Sequence, residues 1–170
     1  MQNKRTLAAP ETFWQEYQNS LPPCHPHAGK PIPLAWGFGD RAEMADELGT
    51  LVVNGIKTAT CSLLWEYETG SEPVPQPGDL SIILDGQGVP MCLIETVEIQ
   101  IKPFDQVDAQ FAYEEGEDNR TLENWRKGHW RYFSRTFTGP SRTLSPAMPL
   151  VCERFRLVWI PPTDNNPTAR

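Results

Sequence analysis

The sequence predicts an α+β fold, a small mixed β-barrel flanked by helices. Three observations lead there. Strand-like and helix-like segments follow one another in an irregular order, without the repeated strand–helix–strand units of a parallel sheet. Seventeen prolines and twelve glycines in 170 residues require many turns and short elements rather than a helix bundle. The length, with 39% apolar residues, suits one domain around one sizeable core. That domain is expected over residues 1–160, with an N-terminal helical extension. Residues 161–170 hold no core-forming side chain and read as a flexible tail.

The elements follow in order. Phe13, Trp14, Tyr17 and Leu21 recur at helical spacing behind Pro10, which suits a helix start, and Pro22-Pro23 ends the segment. Cys24 to Asp40 reads as a loop with aromatic content, Trp36 and Phe38. A second helix begins near Asp40, a candidate N-cap with Glu43 three residues on. Ala45, Leu48 and Val52 line its face, and Asn54-Gly55 stops it. A strand from Thr58 to Leu64 follows. Leu80 to Leu84 and Val89 to Ile101 read as two strands joined by Asp85-Gly86-Gln87-Gly88, a hairpin turn. Helical pattern returns from Phe104 to Ala112. After the acidic loop Glu114 to Asp118, Thr121 caps a helix with Leu122, Trp125, His129 and Phe133 on one face. Leu150 to Ile160 is the last strand.

The formal net charge is −7. A chain that grips long nucleic acid through phosphates is expected to be basic, so the sign favours a small ligand over long RNA. Cys24, Cys61, Cys92 and Cys152 form no C-x-x-C pair. No apolar stretch follows the first residues as in a signal peptide, and no run approaches the roughly 18 apolar residues of a membrane span. A reducing cytoplasm and no membrane partner are therefore expected.

Candidate chemistry concentrates in Gly55 to Ser62, GIKTATCS. Thr58, Thr60 and Ser62 alternate and share one face of a regular strand. Lys57 faces the other way unless the chain bends at Gly55. From spacing alone, the competing reading is a strand of β-favouring threonines with a surface lysine. The acidic run Glu114 to Asp118 reads alone as a solvated loop. A carboxylate from it beside Lys57 would form an acid–base pair. Cys24-His25-Pro26-His27 offers metal-ligand types, but no partner cluster completes a set of four. His129 reads as a packing residue. Neither a metal nor a cofactor is expected.

These residues carry a family likeness. Asn54-Gly55-Ile56-Lys57-Thr58-Ala59-Thr60 resembles the G-x-K-x-x-T/E signature of the ASCH domain, a branch of the PUA-like β-barrels. The pieces around it agree: a helix before the signature, a Pro77-Gly78-Asp79-Leu80 turn into a strand, and an acidic stretch before a helix rich in Trp and Arg. The likeness spans roughly Trp36 to Trp159, and the long N-terminal part suggests the larger subgroup. It implies a PUA-like barrel with a cleft beside the signature and a ligand that is a small nucleoside or short RNA. Some members remove the acetyl group from 4-acetylcytidine through a Lys, a Thr and a Glu. Lys57 and Thr60 match the first two. Glu115 is the best match for the third, with Glu117 and Glu114 as alternatives. Ser62 departs from the Arg that many members carry there.

The expectation is then an amide hydrolase acting on an acylated nucleoside. Lys57, desolvated and with a lowered pKa, would act as a base on the Thr60 hydroxyl or a water, and Glu115 would orient it. Trp36 and Phe38 would stack on a base, with Thr58, Ser62 and Glu117 also contacting ligand. The alternative is a module that binds RNA or a modified nucleotide without chemistry. A ribonuclease ranks last, because no further nucleophile–base set is visible. Oligomeric state is left open.

Overall fold

A computed structural model describes residues 9–70, 72–138 and 142–162; residues 163–170, most of the expected tail, lie outside the described residues. Among the described residues there are five strands and five α-helices. In chain order they are α1 (Pro10–Ser20), β1 (Leu34–Trp36), α2 (Ala42–Val53), β2 (Ala59–Leu63), α3 (Leu64–Thr69), β3 (Leu80–Leu84), β4 (Pro90–Pro103), α4 (Ala109–Glu115), α5 (Leu122–Thr136) and β5 (Pro149–Trp159). None of the described helices is long and apolar enough to cross a membrane.

The strands form one mixed sheet in the order β1-β3-β4-β5-β2. β1 runs parallel to β3, and the other pairs are antiparallel. The long β4 and β5 are the spine. Their pairing shifts register between Leu93 and Ile94 and again between Thr96 and Glu98. Such bulges bend a strand and increase its twist. They curl the expected barrel sheet into a five-stranded half-barrel.

Both faces of the curl are covered. Ile83, Cys92 and Ile94 pack with Leu48 and Val52 of α2, while Ile82 and Leu93 pack with Phe13, Trp14 and Tyr17 of α1. This is why Ile82 to Leu84 is a continuous apolar run rather than an alternating one. A third cluster joins α4 and α5 to β2 and β5 through Phe111, Trp125, Phe133, Leu63 and Leu150.

Several local expectations are corrected. β1 lies inside the stretch read as a loop; three residues paired in parallel with a distant strand leave no local periodicity. Arg41, not Asp40, is the N-cap of α2, because the Asp40 carboxylate accepts two bonds from Arg135, at 2.7 and 2.8 Å. β2 stops at Leu63, and α3 follows at once. The Phe104–Ala112 segment is a 3-10 turn, Phe104–Gln106, and then α4, whose N-cap Asp108 accepts from the Phe111 N–H at 2.9 Å. Glu114 and Glu115 belong to the last turn of α4.

Candidate functional site

The signature segment and the acidic segment meet. α2 ends at Asn54, and Gly55 turns the chain at φ 69°. The Thr58 N–H donates to the Glu114 carbonyl at 2.8 Å, and the Phe155 N–H donates to the Thr58 carbonyl at 3.0 Å. α4 ends in a left-handed Gly116 at φ 77°, where a β-carbon would lie 2.8 Å from the Ile56 carbonyl oxygen. Only glycine permits both that φ and that approach.

Lys57 and Glu115 are thereby sealed together, each 1% exposed. The Lys57 ammonium donates to Glu115 Oε2 at 2.7 Å, to Glu117 Oε1 at 2.8 Å and to the Glu115 carbonyl at 3.2 Å. Three N–H donors thus meet three acceptors. The other Glu115 oxygen, Oε1, accepts from Trp125 Nε1 at 3.2 Å and lies 3.3 Å from His129 Nε2. His129 Nδ1 faces the Trp125 carbonyl at 3.0 Å. Both ring nitrogens point at acceptors, an arrangement that favours the doubly protonated ring.

The electrostatics agree. Burial lowers the pKa of Lys57, but the charges and hydrogen bonds of Glu115 and Glu117 outweigh it, and the net shift is upward. For Glu115 burial acts to raise the pKa, yet Lys57 and His129 hold it well below the usual carboxylate range. Burial lowers that of His129, and Glu115 reverses this. The expected lowering at Lys57 is therefore corrected: two carboxylates surround it, and desolvation loses to them. Burial and Glu115 push the Cys61 thiol up, which keeps it protonated and unreactive.

A cleft of about 560 Å³ opens beside this cluster, within the size range of small-molecule sites. Trp36, Phe38, Thr60, Ser62, Thr96 and Glu153 are among its walls. Trp36 and Phe38 meet edge to face, with centroids 4.7 Å apart. Thr60 lies opposite Glu153 in the β2–β5 register, so both side chains project to one face. Thr96 Oγ1 donates to Glu153 Oε1 at 2.5 Å. Ser62 Oγ and the Tyr67 hydroxyl share a 2.8 Å bond.

The expected residues thus divide between two neighbouring places. Trp36, Phe38, Thr60 and Ser62 line the cleft, while the buried Lys57 and Glu115 and the half-buried Glu117 form the charged cluster behind it. The two meet through Phe38, whose ring centroid is 5.3 Å from Lys57 Nζ, and through Cys61, a cleft residue within 4.8 Å of the facing atoms of Glu115 and His129. Thr58 lies in neither place; its hydroxyl turns to the Glu114 carbonyl at 3.4 Å.

Sequence reasoning missed His129, Thr96 and Glu153. A histidine one turn after Trp125 carried a weak signal, since a helix face ending on a buried carboxylate was not foreseeable. Glu153 offered a clearer one: a glutamate directly after the apolar run Leu150-Val151-Cys152 of β5. Cys61, Glu115 and His129 are the one trio among the described residues close enough to ligate a metal ion, although Lys57 already neutralises Glu115. Cys24, His25 and His27 do not gather a ligand set; His27 is instead bonded to the Tyr17 hydroxyl at 2.7 Å.

Comparison with known proteins agrees with this architecture. A crystal structure of an ASCH domain from Lactobacillus crispatus JV V101 superposes with a TM-score of 0.80 at 27% identity, covering 91% of this chain and 97% of that one. A crystal structure of an Enterococcus faecalis V583 protein superposes with a TM-score of 0.77 at 38% identity, covering 87% of this chain and 86% of that one. No curated protein matches the sequence. The family model described as the ASCH domain matches residues 34–159, which include both the cleft and the buried cluster, and this chain belongs to the ASCH domain family.

Proposed function

We propose that the protein binds a small nucleoside derivative in the cleft and hydrolyses an amide on it, with 4-acetylcytidine as the type substrate. One observation carries this reading. A buried lysine–glutamate ion pair, Lys57 and Glu115, flanked by the half-buried Glu117 and His129, stands immediately behind the cleft wall that bears Thr60. Burying charges costs several kcal/mol per ion before pairing, and such clusters beside a cleft mark functional sites. Family membership supports a nucleoside-type ligand.

The charge states set the roles. Lys57 is an ammonium and serves as a proton donor and oxyanion stabiliser rather than as the resting base. Glu117, the more exposed of its two carboxylate partners, takes the proton of a water as that water attacks the amide carbonyl. Lys57 protonates the departing amine and recovers its proton from Glu117. Thr60 positions the water or the carbonyl, and His129 and Trp125 hold Glu115. The Phe38 ring covers Lys57 and must move as substrate enters.

A second reading is binding without chemistry. It is favoured by the occupied donors of Lys57 and by a cationic face on α5, where Arg126, Lys127 and Arg131 surround the exposed Trp130. Such a face suits a single RNA strand.

Incubation with 4-acetylcytidine and other short acyl nucleosides, followed by chromatography, separates the readings. Release of cytidine and acetate, lost in Thr60→Ala with the fold intact, is the expected result. Binding without release, or salt-steep RNA binding, supports the second reading. Neither binding nor release with any of these compounds sinks the first.

A further inference from the structure

We propose that Glu153 reads the base edge of the ligand, and that the cleft selects an unphosphorylated, amino-bearing pyrimidine nucleoside over its nucleotide. This rests on the ligand-binding half of the function proposed above.

Glu153 is 7% exposed and Thr96 3%, yet both line the cleft. Among the described residues the carboxyl pairs with no cation, and it accepts a hydrogen bond from the Thr96 hydroxyl at 2.5 Å. That hydroxyl donates to Oε1 and so marks it as the acceptor oxygen, leaving Oε2 to carry any proton. Burial pushes the carboxyl upward, Thr96 opposes this, and Asp79 adds to it. In its protonated form the side chain presents a donor and an acceptor side by side. A cytosine edge presents the complement, a ring nitrogen acceptor and an exocyclic N–H donor. The Trp36 ring, braced edge-on against Phe38, supplies a surface for the flat face of the base.

Charge decides the rest of the ligand. Among the described residues, Glu72 and Asp79 line the cleft as acidic side chains against one cationic side chain, Lys30. A phosphate there meets repulsion rather than a cationic clamp.

Isothermal titration of the whole chain with cytidine, uridine and cytidine 5′-monophosphate tests this. Cytidine is expected to bind at least about tenfold tighter than uridine, whose edge reverses donor and acceptor, and about tenfold tighter than the monophosphate. Glu153→Leu loses at least about tenfold in cytidine affinity, whereas Glu153→Gln, which keeps a donor and an acceptor, stays within about threefold. Circular dichroism checks that both variants fold, and the wild-type comparisons stand if Glu153→Leu does not. Equal binding of cytidine and uridine, tighter binding of the monophosphate, or unchanged affinity in Glu153→Leu overturns the proposal while leaving a nucleoside site intact. Failure of all three ligands to bind removes the nucleoside reading with it.

Discussion

Glu115 and Glu153 are both buried, at 1% and 7% exposure, and their protonation is pushed in opposite directions. Glu115 sits among Lys57, His129 and the Trp125 N–H, and is held ionised. Glu153 has a threonine hydroxyl and an acidic neighbour, Asp79, and is pushed toward its neutral form. Burial alone raises the pKa of each; the partners decide the outcome. Two buried carboxyl groups can therefore be suited to different chemistry, one held toward its ionised form and one pushed toward its protonated form.

Removing the cation should have the largest effect. Lys57→Met leaves Glu115 and Glu117 without their shared ammonium and is expected to cost about 3–5 kcal/mol, read by urea unfolding. Glu115→Gln keeps shape but removes the charge that Lys57 and His129 face, at about 2 kcal/mol. Asp108→Ala removes the cap of the helix that delivers Glu115 and should cost about 1 kcal/mol. Glu153→Gln should change neutral-pH stability least, within about 0.5 kcal/mol, because no cation depends on it.

The pH dependence sharpens the contrast. The Glu115 pKa is lowered on folding, so its contribution is complete above the ordinary value of 4.5 and is lost as pH falls through the folded value. That of Glu153 is raised, so folding favours its protonated form and stability declines as pH rises from 4.5 to the folded value. His129 is raised as well; its contribution is full below 6.5 and fades as pH rises through the folded value. In a pH series of urea unfolding, Glu115→Gln should flatten the acid limb and Glu153→Gln the decline above 4.5. The same flattening in both variants would erase the distinction between the two glutamates.

Much of the fold was legible in the sequence. The helices with strong periodicity, α1, α2 and α5, and the Asp85-Gly86-Gln87-Gly88 hairpin stand where spacing and turn chemistry put them. β1 was not legible, because its partner β3 is remote in sequence and pairing in parallel leaves no turn between them. The meeting of Lys57 with Glu115 was legible through the family signature rather than through spacing, which alone favoured a surface lysine and a solvated acidic loop. Gly116 inside that loop was the local sign that the chain packs tightly there. The charge state of Lys57 was misjudged because burial was weighed without its two carboxylate partners. Glu153 was passed over because a strand register cannot be read before its partner strand is known.

The opposite charge states of the two glutamates are tested most directly by a 13C NMR titration of the side-chain carboxyl carbons between about pH 3 and about pH 8. Glu115 should titrate below 4.5 and Glu153 above it. A midpoint for Glu115 above 4.5, or for Glu153 below it, would contradict the account.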